Sequence, residues 1–185
     1  MNRPFRICFV CTGNICRSPM AESVIRSLIA EEGLDGLVEV DSAGTGGWHE
    51  GDGADPRTVA VLRAGGYGST HTARQFHSSW FADRDLVIAL DSGHLRELRL
   101  LAPTPQDAAK VRLLRSYAAD PAPAGEPGLD VPDPYYGGFE GFEECLAMIE
   151  DAGDGLLEAV RAAVTTDVSD TPLPRSTTSG TKEHA

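Results

Sequence analysis

Residues 5–19, FRICFVCTGNICRSP, determine the fold that the sequence predicts. The run 5–10 is short and mostly apolar, which is typical of a strand buried in a parallel sheet. Gly13 and Asn14 then indicate a polar loop. The Ser-Pro pair at 18–19 is a strong helix start, because serine is a favoured cap and proline at the first helical position loses no hydrogen bond. A buried strand that passes through a tight loop into a helix is the first unit of an α/β fold.

The remainder of the chain repeats this alternation. Further strands are predicted over 37–43, 85–90 and 111–114, and a proline-rich loop over 118–132. Helices are predicted from 18 to Gly33, over 55–64, 78–82 and 92–101, and over 139–164, with an interruption at Gly153 or Gly155 left open. This order predicts an α/β fold of flavodoxin-like class, with a small four-stranded parallel sheet and helices on both faces. Ligands bind beyond the carboxyl ends of such strands, so the loop after the first strand is the candidate site.

Charge and hydropathy exclude several classes of protein. The 185 residues include 16 Lys+Arg and 28 Asp+Glu, a net charge of −12. Binding to nucleic acid or to a membrane surface needs basic residues, so neither is predicted as a partner. No apolar run approaches the ~18 residues of a membrane span and no secretory signal is visible, so a cytoplasmic location is predicted, with export without a signal peptide left open. We predict one monomeric domain over 1–165 and a disordered tail, rich in threonine, serine and proline, over 166–185.

The loop 11–18, CTGNICRS, combines an anion site with a nucleophile. Successive backbone N–H groups in a glycine-containing turn and the N-terminus of the following helix both attract an anion. Arg17 adds a planar fork that matches two oxygens of a phosphate group. Cys11, at the mouth of this nest, is favoured as a thiolate, which is a nucleophile for phosphoryl transfer, and Ser18 can hydrogen-bond the sulfur. The five residues between Cys11 and Arg17 let the loop curl once around one phosphate.

The segment 10–22, VCTGNICRSPMAE, resembles the phosphate loop of bacterial low-molecular-weight protein tyrosine phosphatases. The resemblance continues through 41–44, Trp48, 71–75, Asp91 and 133–137 (DPYYG), and it spans residues 5 to about 164. It implies a phosphotyrosine phosphatase I-like fold and hydrolysis of protein phosphotyrosine, and of small aryl phosphates, through a phosphocysteine on Cys11. It also implies a phosphotyrosine-containing protein as substrate and a cognate bacterial tyrosine kinase as a further partner.

The resemblance assigns roles to the candidate site residues. Asp133 would protonate the leaving oxygen and then act as base for the hydrolytic water, while Arg17 clamps the phosphate. Because Cys11 must be ionised while Asp133 is protonated, a bell-shaped, mildly acidic pH profile is expected, and the chemistry needs no metal and no cofactor. Ser42 and His71 would hold the conformation of the loop through Asn14. The implied substrate-binding residues are Thr12, Gly13, Asn14, Ile15, Cys16, Ser18 and the aromatic slot walls Trp48, Tyr135 and Tyr136.

The cysteines and histidines also allow interpretations without catalysis. Cys8 and Cys11 form a CxxC pair, and zinc could be sought among all four cysteines, but a strand that points Cys8 into the core disfavours both. Cys8 and Cys145 are interpreted as buried apolar residues. Cys16 either fills space under the loop or forms a disulfide with Cys11 on oxidation, the protective role that the resemblance favours. His49, His77, His94 and His184 are predicted to have no catalytic part, and Arg74 and Asp91 either join the site network or form a solvated pair.

Three rival functions share parts of this pattern. An arsenate reductase of this fold needs two further cysteines on a segment after the third strand, and residues 91–130 contain none. Phosphoarginine phosphatases of the same superfamily tend to carry threonine where Ile15 stands and to lack the tyrosine pair at 135–136. Whether these two tyrosines are themselves phosphorylated is left open by the sequence. An inactive phosphotyrosine-binding module would not need intact Cys11, Arg17 and Asp133. The predicted function is therefore that of a protein-tyrosine phosphatase.

Overall fold

The computed structural model describes residues 3–119 and 126–169, and the strands within them form one parallel sheet. The strands are β1 (Phe5–Cys11), β2 (Val38–Gly44), β3 (Leu86–Ala89) and β4 (Val111–Leu113), in the order β2-β1-β3-β4. All three strand pairs are parallel, which confirms the predicted sheet. The chain passes from β1 to a neighbour on one side and then to a neighbour on the other. The winding direction therefore reverses at the carboxyl end of β1, which is where such sheets bind ligands.

The helices of the described residues lie close to their predicted positions. They are α1 (Arg17–Glu31), α2 (Pro56–Ala64), α3 (Ser92–Leu101), α4 (Pro105–Ala109) and α5 (Phe139–Ser169), with 3₁₀ helices at Ser78–Asp83, Leu114–Tyr117 and Glu126–Leu129. α4 is absent from the sequence prediction, although Thr104 caps it by accepting a hydrogen bond from the Asp107 amide at 3.1 Å. Of the predicted loop 118–132, residues 120–125 lie outside the described residues. No helix in the described ranges is long and apolar enough to cross a membrane.

Helix α5 is continuous, so the interruption considered at Gly153 or Gly155 does not occur. A Cβ atom at Gly155 would lie 1.9 Å from the carbonyl oxygen of Tyr117, and one at Gly153 would lie 2.9 Å from Leu28 Cδ1. The two glycines therefore let α5 lie directly against its neighbours. The helix reaches Ser169, so residues 166–169 of the predicted tail are helical, while 170–185 lie outside the described residues and their disorder stays a prediction.

The alternation of side chains along β1 divides the core into two layers. Phe9 and Cys11 pack on the face that α1, α2 and α5 cover, whereas Cys8 packs on the opposite face, which α3 covers. The predicted helices on both faces are thus confirmed. Cys16 and Cys145 belong to the same layer as Cys11, so the sheet separates Cys8 from the other cysteines and they cannot surround one zinc ion.

Candidate active site

The loop after β1 is held in shape by Asn14, which is fully buried and has a φ of +58°. This left-handed conformation is strained for a residue with a side chain, and asparagine tolerates it better than most. The Asn14 side chain donates to Ser18 Oγ at 2.8 Å and to Ser42 Oγ at 3.0 Å, and it accepts from the Arg74 amide at 3.0 Å. His71 Nε2 donates to the Asn14 carbonyl oxygen at 2.7 Å. The structure therefore brings Ser42 and His71 to the loop, as expected.

Ser18 does not cap the helix, contrary to the sequence prediction. Helix α1 begins at Arg17, two residues before the predicted first helical position, and its N-cap residue Cys16 makes no side-chain cap hydrogen bond. The Ser18 hydroxyl lies 2.9 Å from Cys11 Sγ and 3.3 Å from the carbonyl oxygen of Ala43. The Ser18 hydroxyl thus contacts the cysteine and does not cap the helix. No side-chain cap is present among the described residues, so the first-turn N–H groups of α1 stay available to an anion.

Arg17 is 3% exposed and is fixed mainly through one end of its guanidinium group. Its NH1 nitrogen donates to Asp91 Oδ2 at 2.8 Å and to the carbonyl oxygen of Val131 at 2.9 Å. Its NH2 nitrogen makes longer contacts, 3.5 Å to Thr12 Oγ1 and 3.8 Å to Asp133 Oδ2. Burial acts to lower the pKa of Arg17, but the negative charges around it outweigh burial and raise the pKa. Arg17 is therefore a permanent cation, held in place chiefly by Asp91.

Arg74 and Asp91, for which the sequence left two interpretations, both join the network of the site. Asp91 accepts a hydrogen bond from Arg17. Burial acts to raise the pKa of Asp91, but the pKa lies below its usual value because the His94 amide and Arg17 bind the carboxylate. Arg74 pairs with Asp41 at 2.5 Å, and its main-chain amide holds the loop. The two residues are not a solvated pair, because each has a different partner.

A cavity of about 390 Å³ opens above the loop, and it gathers most of the predicted site residues. Trp48 and Tyr136, on its rim, are 75% and 91% exposed. Asp133 Oδ1 accepts a hydrogen bond from the amide of Tyr135 at 3.1 Å, which orients the carboxyl group. The cavity is lined by Cys11, Thr12, Gly13, Ile15, Cys16, Arg17, Trp48, His49, Asp133, Tyr135 and Tyr136.

The structure adds three residues that the sequence analysis did not place at the site. His49 lines the cavity, and a Cβ atom at Gly13 would lie 2.9 Å from its Cδ2 atom. The sequence signal that could have indicated His49 is its position next to Trp48. Arg57 stacks on the Tyr135 ring, with 5.5 Å between Cζ and the ring centroid. His94 contacts Thr12 across 82 positions of sequence, a separation that local pattern does not reveal.

Cys16 lies beside Cys11 in the wall of the cavity, and all four cysteines of the chain carry free thiols. Burial, followed by the nearby charges of Asp55 and Cys11, raises the pKa of Cys16 to about 12. Cys16 is therefore a protonated thiol at neutral pH. Burial also raises the pKa of Cys145, to about 11, in line with its interpretation as a buried apolar residue.

The chain is similar to known proteins over nearly all of the described residues. It matches the family model for low molecular weight phosphotyrosine protein phosphatase over residues 6–166. It is 70% identical over 160 residues to a low molecular weight protein-tyrosine-phosphatase of Streptomyces coelicolor, which covers 86% of this chain and 96% of the relative. The crystal structure of YfkJ from Bacillus subtilis has a TM-score of 0.79 at 36% identity, covering 88% of this chain and 98% of that chain. The structure of a Drosophila arginine phosphatase has a TM-score of 0.74 at 31% identity, covering 83% and 96%.

Proposed function

The chain belongs to the low molecular weight phosphotyrosine protein phosphatase family, and from this premise we propose that Cys11, Arg17 and Asp133 carry out its reaction. It is a metal-independent protein-tyrosine phosphatase of bacterial type. The observation that carries the proposed roles is that Asp133, which lies far from the loop in the sequence, lines the same cavity as Cys11 and Arg17 at the carboxyl end of β1.

In the first step we propose that the Cys11 thiolate attacks the phosphorus atom of a phosphate ester. The bond between sulfur and phosphorus forms as the bond from phosphorus to the ester oxygen breaks, and Asp133 gives its proton to that oxygen. Water then attacks the phosphocysteine. Asp133 takes a proton from the water, the sulfur leaves as a thiolate, and inorganic phosphate is released. The Ser18 hydroxyl, 2.9 Å from Cys11 Sγ, supports the thiolate both before attack and as a leaving group.

We propose that Arg17 and the amides of the loop neutralise the phosphate charge. Since NH1 is engaged by Asp91 and Val131, NH2 is the terminal nitrogen with room to change partners when an anion arrives. An arginine fixed before the substrate binds needs no reorganisation during the reaction, and for this reason such groups stabilise transition states strongly. Burial of the guanidinium strengthens the effect because it removes competing water.

The cavity favours an aryl phosphate as substrate. Trp48, Tyr135 and Tyr136 provide aromatic surface that suits a phenyl ring, and Ile15 lines the cavity with an apolar side chain. Phosphoarginine is the second candidate substrate, because the chain is similar to an arginine phosphatase. A guanidinium group is also flat, as a phenyl ring is, so both fit the same slot. Ile15 is the residue on which we base the preference, since it offers the polar guanidinium no hydrogen-bonding partner.

We expect a phosphotyrosyl peptide to be hydrolysed with kcat/KM at least about tenfold above that of the matched phosphoarginyl peptide, in the presence of EDTA. Replacing Ile15 with threonine should reduce this ratio, with Ile15→Val as the control of similar shape that adds no hydroxyl. Preferential hydrolysis of phosphoarginine by the unmodified enzyme would reverse the assignment of the substrate. Dependence of the rate on added Mg²⁺ would contradict the proposed mechanism.

We also propose that Cys16 protects Cys11 from peroxide. Hydrogen peroxide oxidises the Cys11 thiolate to a sulfenic acid with release of hydroxide, and the Cys16 thiol then displaces water to form a disulfide, which an added thiol reduces. Because the pKa of Cys16 is raised to about 12, this second step should accelerate as the pH rises.

The expected result is that peroxide inactivates the enzyme and that dithiothreitol restores most of its activity. Cys16→Ala should lose this recovery, because its sulfenic acid proceeds to irreversibly oxidised forms. Cys145→Ala is the control, because it removes a buried thiol that does not line the cavity, and it should recover as the unmodified protein does. Equal recovery in Cys16→Ala and the unmodified protein would reject the protective role. The cognate kinase and the cytoplasmic location stay predictions from the sequence.

A further inference from the structure

His94 is a buried histidine that connects two parts of the phosphate site. Its ring, 4% exposed, places Nε2 at 2.8 Å from Thr12 Oγ1 and Nδ1 at 3.2 Å from Asp91 Oδ1. Thr12 and Asp91 are also the residues that contact the two ends of the Arg17 guanidinium group. His94, Thr12, Arg17 and Asp91 therefore form a closed ring of contacts beside the phosphate-binding loop.

The protonation of His94 follows from the groups that face it. Burial lowers the pKa of His94 to about 4, more than the charge of Asp91 raises it, so the imidazole is neutral at neutral pH. One nitrogen then carries a proton and the other a lone pair. Nδ1 makes no hydrogen bond within the described part of the chain, but the nearby carboxylate of Asp91 attracts a proton there and would repel a lone pair. The Nδ1–H tautomer is therefore favoured, and Nε2 is left as an acceptor.

This tautomer determines what the Thr12 hydroxyl can do. A hydroxyl has one proton, and Thr12 must give it to Nε2, since Nε2 has only a lone pair to offer. The lone pairs of Thr12 Oγ1 are then free to accept from Arg17 NH2, which lies 3.5 Å away. Thr12 is thus an acceptor for the arginine and has no proton left for the phosphate.

We propose that His94 is a positioning residue for phosphate binding, which acts by accepting the Thr12 proton so that Thr12 and Asp91 hold opposite ends of Arg17. The inference rests on the proposed role of Arg17 as the phosphate clamp. From the sequence pattern, His94 is predicted only to lie in a helix. The proposal gives it a function and extends the phosphate-binding residues from the loop to α3.

The first test is the tautomer itself, measured in the unmodified protein by ¹⁵N chemical shifts of the histidine rings at neutral pH. We expect His94 to show the Nδ1–H form without inorganic phosphate and with it. An Nε2–H form would overturn the proposal, because Thr12 would then be the acceptor from His94 and free to donate elsewhere. This measurement needs no variant and no turnover, so it is independent of the proposed reaction.

The second test is the inhibition constant for inorganic phosphate in a set of variants. His94→Leu, which lacks the acceptor, should bind phosphate about tenfold more weakly, because the Thr12 hydroxyl loses the acceptor that directs its proton away from Arg17. His94→Gln, whose amide oxygen can take the place of Nε2, should stay within about twofold of the unmodified protein. His77→Leu is the matched control, since His77 is exposed and contacts the Trp80 ring away from the cavity.

Combination with Thr12→Val separates positioning from simple packing. If His94 acts through Thr12, the double variant His94→Leu/Thr12→Val should bind phosphate no more weakly than Thr12→Val alone. Additive losses, or equal losses in His94→Leu and His94→Gln, would overturn the proposal. If His94→Leu does not fold, the comparison of Thr12→Val with Thr12→Ser tests the hydroxyl through which His94 is proposed to act, since only serine keeps it. A loss in Thr12→Val no larger than in Thr12→Ser would overturn the proposal. Failure of the unmodified protein to bind phosphate would instead contradict the function of the site.

Discussion

Replacing Cys11 with serine is expected to lower kcat for an aryl phosphate by at least about 10⁴-fold, on the scale of other lost nucleophiles. The serine hydroxyl stays protonated at neutral pH, and the hydrogen-bonding partner that the described residues give the sulfur is Ser18 Oγ at 2.9 Å, a neutral hydroxyl. The loop amides and Arg17 are unchanged by the substitution. Binding of inorganic phosphate should therefore persist in the variant, with a Kd within a few fold of the unmodified protein.

The measurement is single-turnover hydrolysis of para-nitrophenyl phosphate, together with calorimetric binding of inorganic phosphate. Cys145→Ser is the matched control, because Cys145 is equally buried and its thiol donates to the Pro132 carbonyl oxygen, a bond that a serine hydroxyl can replace. It should retain nearly full activity. Substantial turnover by Cys11→Ser would remove Cys11 as the nucleophile, and loss of phosphate binding would show that the substitution had disrupted the loop.

The parts of this site that a local pattern encodes were predictable. A buried strand, a glycine-containing loop and a Ser-Pro helix start lie within 15 consecutive residues, and their geometry follows from covalent and hydrogen-bonding preferences of near neighbours. The parallel sheet followed from the alternation of strands and helices, because parallel strands need long crossovers. Capping by Asp55, which accepts from the Arg57 amide at 2.8 Å, followed from the Asp-Pro pair in the same way.

The parts that depend on tertiary contacts were not predictable from local pattern. Ser18 has the sequence context of a helix cap, but its hydroxyl is used by Cys11 and Asn14, and only the folded loop brings them together. His94 resembles any other residue of an amphipathic helix until α3 is placed beside the loop. Gly155 resembles a helix breaker until the Tyr117 carbonyl is known to lie against it. In each case a partner distant in sequence decided the role of the residue.

The loss in kcat/KM on replacing Asp133 with alanine is expected to depend strongly on the leaving group. Tyrosine is a poor leaving group because its phenol has a pKa of about 10, so its departure needs a proton in the transition state. We expect a loss of roughly 10²–10⁴-fold for a phosphotyrosyl peptide, the usual range for a general acid. Nitrophenolate is stable as an anion and leaves without that proton, so the loss for para-nitrophenyl phosphate should be at least about tenfold smaller.

The experiment compares kcat/KM values because kcat/KM reports the role of Asp133 as general acid separately from its role as base. Asp133 is proposed to act twice, and hydrolysis of the phosphocysteine is the same step for every substrate. If that step limits kcat, removing the base would lower kcat equally for both substrates and would hide the first role. In contrast, kcat/KM includes only the steps up to the first irreversible one, the transfer of the phosphoryl group to Cys11.

Glu140→Gln, which removes an exposed carboxylate at the start of α5, is the control for general charge effects. Equal losses of kcat/KM for the two substrates would show that Asp133 is not the general acid. Unequal losses of kcat/KM together with equal losses of kcat would assign Asp133 both roles, as acid in the first step and as base in the second.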